Sequence, residues 1–183
     1  MNKITGIILA GGKSSRMGTD KALIDVKGKK LIEYSIAVMK QICGHIIISA
    51  SNPVYEKFGF PIVADSFQGI GPIAGLEACL RYSKTKINLV APCDSPFLSI
   101  NLFREALKET AGYEAAVPIL QDGKVEPLAG YYSKEALPTI IQQIEKGDYK
   151  LQNLLKAMNT KYVSITNPAY LMNINTPGDL RNI

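Results

Sequence analysis

The sequence predicts an α/β fold, a three-layer α/β/α sandwich built on a mostly parallel sheet. Two observations lead there. Short, continuous apolar runs rich in β-branched residues recur along the chain, and segments of helical period lie between them. A strand covered on both faces reads as an unbroken apolar run, because its successive side chains point to opposite faces and both are buried. Alternation of such strands with helices is the pattern of parallel strands joined by crossovers.

Taken in order, Ile4 to Ala10 reads as the first buried strand. Runs at Ile46 to Ala50, Pro61 to Ala64, Ile87 to Ala91 and Ala115 to Ile119 read the same way. Leu31 to Ile42 carries apolar residues at helical spacing. Ile73 to Tyr82 follows Gly71-Pro72, with the proline set to open a helix. Ser99 can cap a helix running to about Thr110. Lys134 to Glu145 and Leu151 to Met158 are further helices, and Thr176-Pro177 opens a last short one. Asp122-Gly123 marks a turn between Ile119 and the run Leu128 to Tyr132, which reads as an antiparallel excursion. The 183 residues fit one domain, residues 1–183, with one sizeable core.

Bulk properties exclude several classes. No stretch of 18 apolar residues is present, so no membrane partner is expected. The apolar run at the start is too short for a signal peptide, which favours a cytoplasmic location. Cys43, Cys79 and Cys93 are odd in number and contain no C-x-x-C pair, so neither a disulfide framework nor a zinc site follows. The single His45 precedes an apolar run and reads as a structural residue at a strand edge. A net charge of +5 is spread without a basic tract, so no nucleic-acid partner is expected, and either a small anionic substrate or a solvated surface accounts for the charge.

The segment after the first strand carries the strongest chemical signal. It reads Leu9-Ala-Gly-Gly-Lys-Ser-Ser-Arg-Met-Gly-Thr-Asp-Lys21. Gly11 and Gly12 lack side chains, so backbone N–H groups there can approach an anion. Lys13, Arg16 and Lys21 add positive charge, as a triphosphate requires. A Walker A loop needs glycine at position 7, which is Ile7. The spacing of Gly11, Gly12 and Gly18 also fails the dinucleotide fingerprint G-x-G-x-x-G.

In open α/β sheets ligands gather at the carboxyl ends of the strands. Two further motifs fall at such ends, and a third lies towards the C-terminus. Asp65 precedes Gly69-Ile-Gly71-Pro-Ile-Ala-Gly75, where Gly71 can bring backbone close to a base or ribose. Pro92-Cys93-Asp94-Ser95-Pro96 holds a carboxylate stiffly between prolines, and one or two such carboxylates with substrate phosphates commonly hold Mg²⁺. Asn173-Ile-Asn175-Thr-Pro has paired amides that point the same way from an extended segment. Cys93 reads as a packed thiol rather than a nucleophile.

The string L-A-G-G-x-x-x-R-M-G-x-D-K-x-L resembles the signature of the molybdenum cofactor guanylyltransferases. These are nucleotidyltransferases with a glycosyltransferase-A-like, Rossmann-type fold (the nucleotide-diphospho-sugar transferase type). The strings at Asp65 to Gly75, at Pro92 to Leu98 and at Asn173 to Leu180 resemble the other family motifs in the same order. Glu126-Pro-Leu-Ala-Gly-Tyr-Tyr132 is similar to the segment that lines the acceptor side. The resemblance implies GTP and the molybdenum cofactor (a molybdopterin phosphate) as substrates, with Mg²⁺ as cofactor. Molybdoenzymes or cofactor-delivery proteins would be further partners. It implies that Leu9, Ala10, Gly11, Gly12, Lys21, Asp65, Gly71 and Asp94 bind the nucleotide, and that Asp94 holds the metal. Arg16, Lys21 and Asp94 would carry catalysis, and Asn173 and Asn175 would face the acceptor. The double glycine favours guanylyl over cytidylyl transfer by resemblance only. A cytidylyltransferase, another nucleotidyltransferase with a phosphorylated acceptor, and a non-catalytic GTP-binding module remain open at this point. Where the family has a nucleotide-contacting asparagine, this chain reads Ser49-Ala-Ser-Asn52, and no site is assigned there.

Overall fold

The computed structural model describes residues 3–11, 20–174 and 179. A seven-stranded sheet runs through it. Its strands are β1 (Ile4–Leu9), β4 (His45–Ser49), β5 (Ile62–Val63), β6 (Ile87–Pro92), β7 (Ala115–Ile119), β8 (Gly130–Ser133) and β9 (Thr160–Ser164). The spatial order is β5-β4-β1-β6-β8-β7-β9. Only β8 runs antiparallel to its neighbours, pairing with β6 on one side and β7 on the other. The remaining pairings are parallel, as expected from the apolar runs.

Two apolar layers show why those runs are continuous. Ile8, Ile46, Ile48 and Tyr131 pack on one face with α1 (Leu31–Met39) and α3 (Ile100–Lys108), through Ile32, Ile36, Leu102 and Phe103. Ile7, Leu9, Ile47 and Tyr132 face the other way. They pack against α2 (Pro72–Tyr82), α4 (Leu137–Glu145) and α5 (Leu151–Ala157), through Leu76, Leu80, Ile140 and Leu154. Neighbours in sequence thus serve opposite layers, which is the three-layer sandwich.

The structure refines some boundaries. The helix expected over Lys134 to Glu145 divides into a 3₁₀ turn at Lys134–Ala136 and α4, because Pro138 takes an early helical position where its missing N–H costs nothing. The helix expected to reach Ile42 stops at Met39. Three strands were not foreseen: β9, and β2 (Asp25–Val26) with β3 (Lys29–Lys30), which form a hairpin. The hairpin turns through Lys27 and Gly28, both at positive φ, and Asp25 Oδ1 accepts from the Gly28 N–H at 3.0 Å. The helix expected at Thr176-Pro177 lies outside the described residues. No helix among the described residues is long and apolar enough to cross a membrane.

The chain leaves β1 through α1 to β4 and β5 on one side, then returns through α2 to β6 on the other. The strand order therefore switches direction at β1, and the rule for open α/β sheets puts the ligand crevice beyond the carboxyl ends of β1, β4 and β6.

Candidate active site

Each wall of this crevice is held by backbone pairing. At its base Ala10 N donates to Ser49 O at 3.0 Å, and Cys93 N donates to Leu9 O at 3.2 Å. Those bonds extend the ladders of β1 with β4 and β6 past the last regular residue. They bring Leu9, Ala10, Gly11, Ser49 and Asp94 to one end of the sheet. Ser35 Oγ, wholly buried on α1, donates to Pro92 O at 2.7 Å and fixes the strand just before the carboxylate.

Asp94 and Lys21 meet here. Lys21 Nζ donates to Asp94 Oδ2 at 2.5 Å, and both side chains are largely shielded, at 15% and 19% exposure. Asp94 Oδ1 is buried and accepts no hydrogen bond among the described residues. A buried carboxylate oxygen left without a partner is costly unless a donor or cation completes it. That oxygen fits a hard divalent cation. Among the described residues there is no group of three or more His, Cys, Asp or Glu able to hold a metal, so substrate oxygens would supply the rest of the shell.

Asp65, beyond β5, borders the other side of β1. Its Oδ1 accepts from Ser49 Oγ at 3.2 Å. Burial raises its carboxyl above the ordinary value, and the Ser49 hydroxyl pulls it back in part. Gly75 makes room for this group, while Gly11 only borders it. A Cβ on Gly11 would lie 3.7 Å from both Asp65 carboxylate oxygens, whereas one on Gly75 would come within 2.3 Å of Ser49 Oγ. Gly71 caps α2 at φ 82°, a conformation open to glycine, with Pro72 at the first helical position.

The C-terminal motif also reaches this site. Ile174 N donates to Asp94 O at 2.9 Å, and Ser95 Oγ hydrogen-bonds Asn173 Oδ1. Asn173 therefore sits beside the Asp94 turn. Gly12, Arg16 and Asn175 lie outside the described residues. Glu126, just before β8, is raised above the usual carboxylate range chiefly by burial, and it feels the charge of Asp94.

Sequence reasoning assigned no site to three contributors. Ser49 stands where an asparagine was sought and instead donates to Asp65. Tyr55, in a 3₁₀ segment at Pro53–Phe58, is 1% exposed, and its hydroxyl donates to Asp20 Oδ1 at 2.7 Å. Gly75 is needed for packing space. Ser49 had a signal, its position at the end of an apolar run. Tyr55 had none. The three thiols are poor nucleophiles: burial pushes Cys43 and Cys79 up to about 12, and Cys93 higher still.

A lysine–aspartate pair at the switch point of a mostly parallel sheet fits the class of nucleoside-triphosphate transferases. The comparisons agree. The model of the MobA-like NTP transferase domain matches residues 6–162. A molybdenum cofactor guanylyltransferase of Vibrio parahaemolyticus is 37% identical, covering 95% of this chain and 91% of its own. One from Yersinia pestis is 35% identical, with 96% and 92% covered. The solved molybdopterin-guanine dinucleotide biosynthesis protein A of Archaeoglobus fulgidus superposes with a TM-score of 0.80 at 26% identity, covering 97% of this chain and 95% of its own. The chain belongs to the MobA-like NTP transferase family.

Proposed function

We propose that this enzyme transfers GMP from GTP to the terminal phosphate of the molybdenum cofactor (a molybdopterin phosphate), giving the guanine dinucleotide form and diphosphate. The observation that carries the reading is the Lys21–Asp94 pair with its unpartnered Asp94 Oδ1 at the switch point of the sheet. The names of full-length relatives support the choice of substrates.

In this reading an oxygen of the acceptor phosphate forms a bond to the α-phosphorus of GTP. The bond from that phosphorus to the β-phosphate oxygen breaks, and diphosphate leaves with its electrons. The acceptor phosphate is already an anion, so no strong general base is required. The protonated, buried thiols fit a direct transfer without a covalent enzyme intermediate. Catalysis then consists of positioning and charge compensation. Backbone at Leu9, Ala10, Gly11 and Gly12 cradles the nucleotide, flanked by Asp65 and Gly71. Arg16 and Lys21 offset the charge growing on diphosphate. Asp94 would hold Mg²⁺, which supplies Lewis-acid polarisation of the phosphates when bound. Asn173 and Asn175 face the acceptor. The reaction belongs in the cytoplasm, with molybdoenzymes or delivery proteins taking the product.

The test is diphosphate release by the purified chain with molybdenum cofactor, Mg²⁺ and each of the four NTPs in turn. GTP should exceed the other three by at least about tenfold in kcat/KM. Preference for CTP would move the reading to cytidylyl transfer. GTP binding with no turnover would make the chain a binding module.

A further inference from the structure

Ala10 and Asp20 are the two stems of the segment between them, Ala10 directly after β1 and Asp20 directly before the 3₁₀ turn at Lys21–Leu23. Both stems meet one side chain from a different part of the chain, Tyr55. Its hydroxyl lies 2.7 Å from Asp20 Oδ1 and 3.4 Å from Ala10 O. A phenol has one proton to give. The shorter contact takes it, with the carbonyl as the longer branch. The ring is almost wholly buried and packs at 6.2 Å from that of Phe58, so the hydroxyl has little freedom to move. Burial, and next the Asp20 carboxylate, hold this phenol far above its ordinary range, so it stays a donor at any working pH.

Asp20 has a second task. Its Oδ1 accepts from Ala22 N at 3.3 Å, and its carbonyl accepts from Leu23 N at 3.0 Å. These bonds begin the 3₁₀ turn at Lys21–Leu23. Lys21 is the first residue of that turn, and its ammonium meets Asp94. The direction of Lys21 is thus set by Asp20, and Asp20 is set by Tyr55.

We propose that Tyr55 is a positioning residue for the transfer reaction. Its hydroxyl staples the two stems of the phosphate loop and, through Asp20, aims Lys21 at Asp94 and the triphosphate. The catalytic half of this inference rests on the transferase reading above, while the staple itself does not. Tyr55 touches no reacting atom. Its effect is to keep the Lys21 ammonium where charge develops on departing diphosphate, and misplacement of such a group by about 1 Å can cost on the order of 100-fold.

The experiment compares wild type with Tyr55→Phe, Asp20→Ala, Asp20→Asn and the double variant Tyr55→Phe/Asp20→Ala. Two readouts are taken. The first is hydrogen exchange at the Ala22 and Leu23 amides of the ligand-free protein. The second is steady-state transfer with GTP and molybdenum cofactor. Tyr55→Phe should speed exchange at those amides and lower kcat by about tenfold or more, with a smaller change in KM for GTP. Asp20→Asn keeps an acceptor oxygen for both Tyr55 and Ala22, so it should recover most of the activity lost in Asp20→Ala. The double variant should be little worse than Asp20→Ala alone, because both changes cut the same staple.

Unchanged exchange in Tyr55→Phe overturns the staple. Faster exchange with unchanged kcat overturns the positioning role. Additive losses in the double variant overturn the shared path. Absence of transfer by the wild type would strike the transferase reading instead, and the exchange rates would still decide the staple.

Discussion

Asp94 and Asp65 stand on either side of β1 at the same end of the sheet, yet their surroundings are opposite in kind. Asp94 shares one oxygen with the Lys21 ammonium and leaves the other buried and unpartnered. Asp65 faces a neutral hydroxyl, that of Ser49, and makes no ion pair among the described residues. The difference divides the crevice. In the proposed reading the β6 side, with its ion pair and unpartnered oxygen, takes the cation and phosphates. The β4–β5 side, with its hydroxyl–carboxylate hydrogen bond and close packing, takes the base or ribose.

The largest expected effect comes from breaking the charged side. Asp94→Ala should lower Mg²⁺-dependent diphosphate release by roughly 10²–10³-fold while circular dichroism shows a folded protein. Turnover at the wild-type rate would remove Asp94 from the chemistry.

A smaller effect is expected from crowding the neutral side. Gly75→Ala puts a methyl against Ser49 Oγ and near Asp65 Oδ1. Overpacking costs about 1–3 kcal/mol, offset by about 1 kcal/mol of gained helix propensity. Denaturant unfolding should therefore show a net loss of up to about 2 kcal/mol. KM for GTP should rise more than kcat falls. Adding Ser49→Ala removes the clashing oxygen and should restore part of the lost stability.

The smallest effect is that of Asp65→Asn, and it depends on pH. Burial raises the folded-state value of Asp65 above its usual 3.8. A raised carboxyl contributes stability that is fully present below the unfolded value and is lost as pH rises through the folded one. The neutral amide escapes that loss. Unfolding curves of variant and wild type should run together at acid pH below 3.8, and the variant should gain on wild type as pH climbs above it. A gap that narrows with rising pH would contradict the burial argument.

How far the sequence reached follows the same physics. β1, β4, β6 and β7 were legible because both of their faces are buried, which forces continuous apolar runs such as Ile46-Ile47-Ile48. β9 lies at the sheet edge and reads Thr-Lys-Tyr-Val-Ser, with Tyr162 exposed, so no such run marks it. The hairpin at Asp25–Lys30 has two-residue strands and charged side chains, too little for a pattern. Asp94 was legible because a carboxylate after a buried strand meets the rule for strand ends, and Lys21 because its loop carries a dense motif. Ser49 and Tyr55 hydrogen-bond other side chains, and only tertiary structure brings their partners, Asp65 and Asp20, within reach.

The division of labour between the two carboxylates has a direct test. Mn²⁺ binding, read by electron paramagnetic resonance in the presence of GTP, is compared in wild type, Asp94→Asn and Asp65→Asn. The account predicts GTP-dependent Mn²⁺ binding in wild type and Asp65→Asn, and its loss in Asp94→Asn. Binding retained in Asp94→Asn but lost in Asp65→Asn would contradict it.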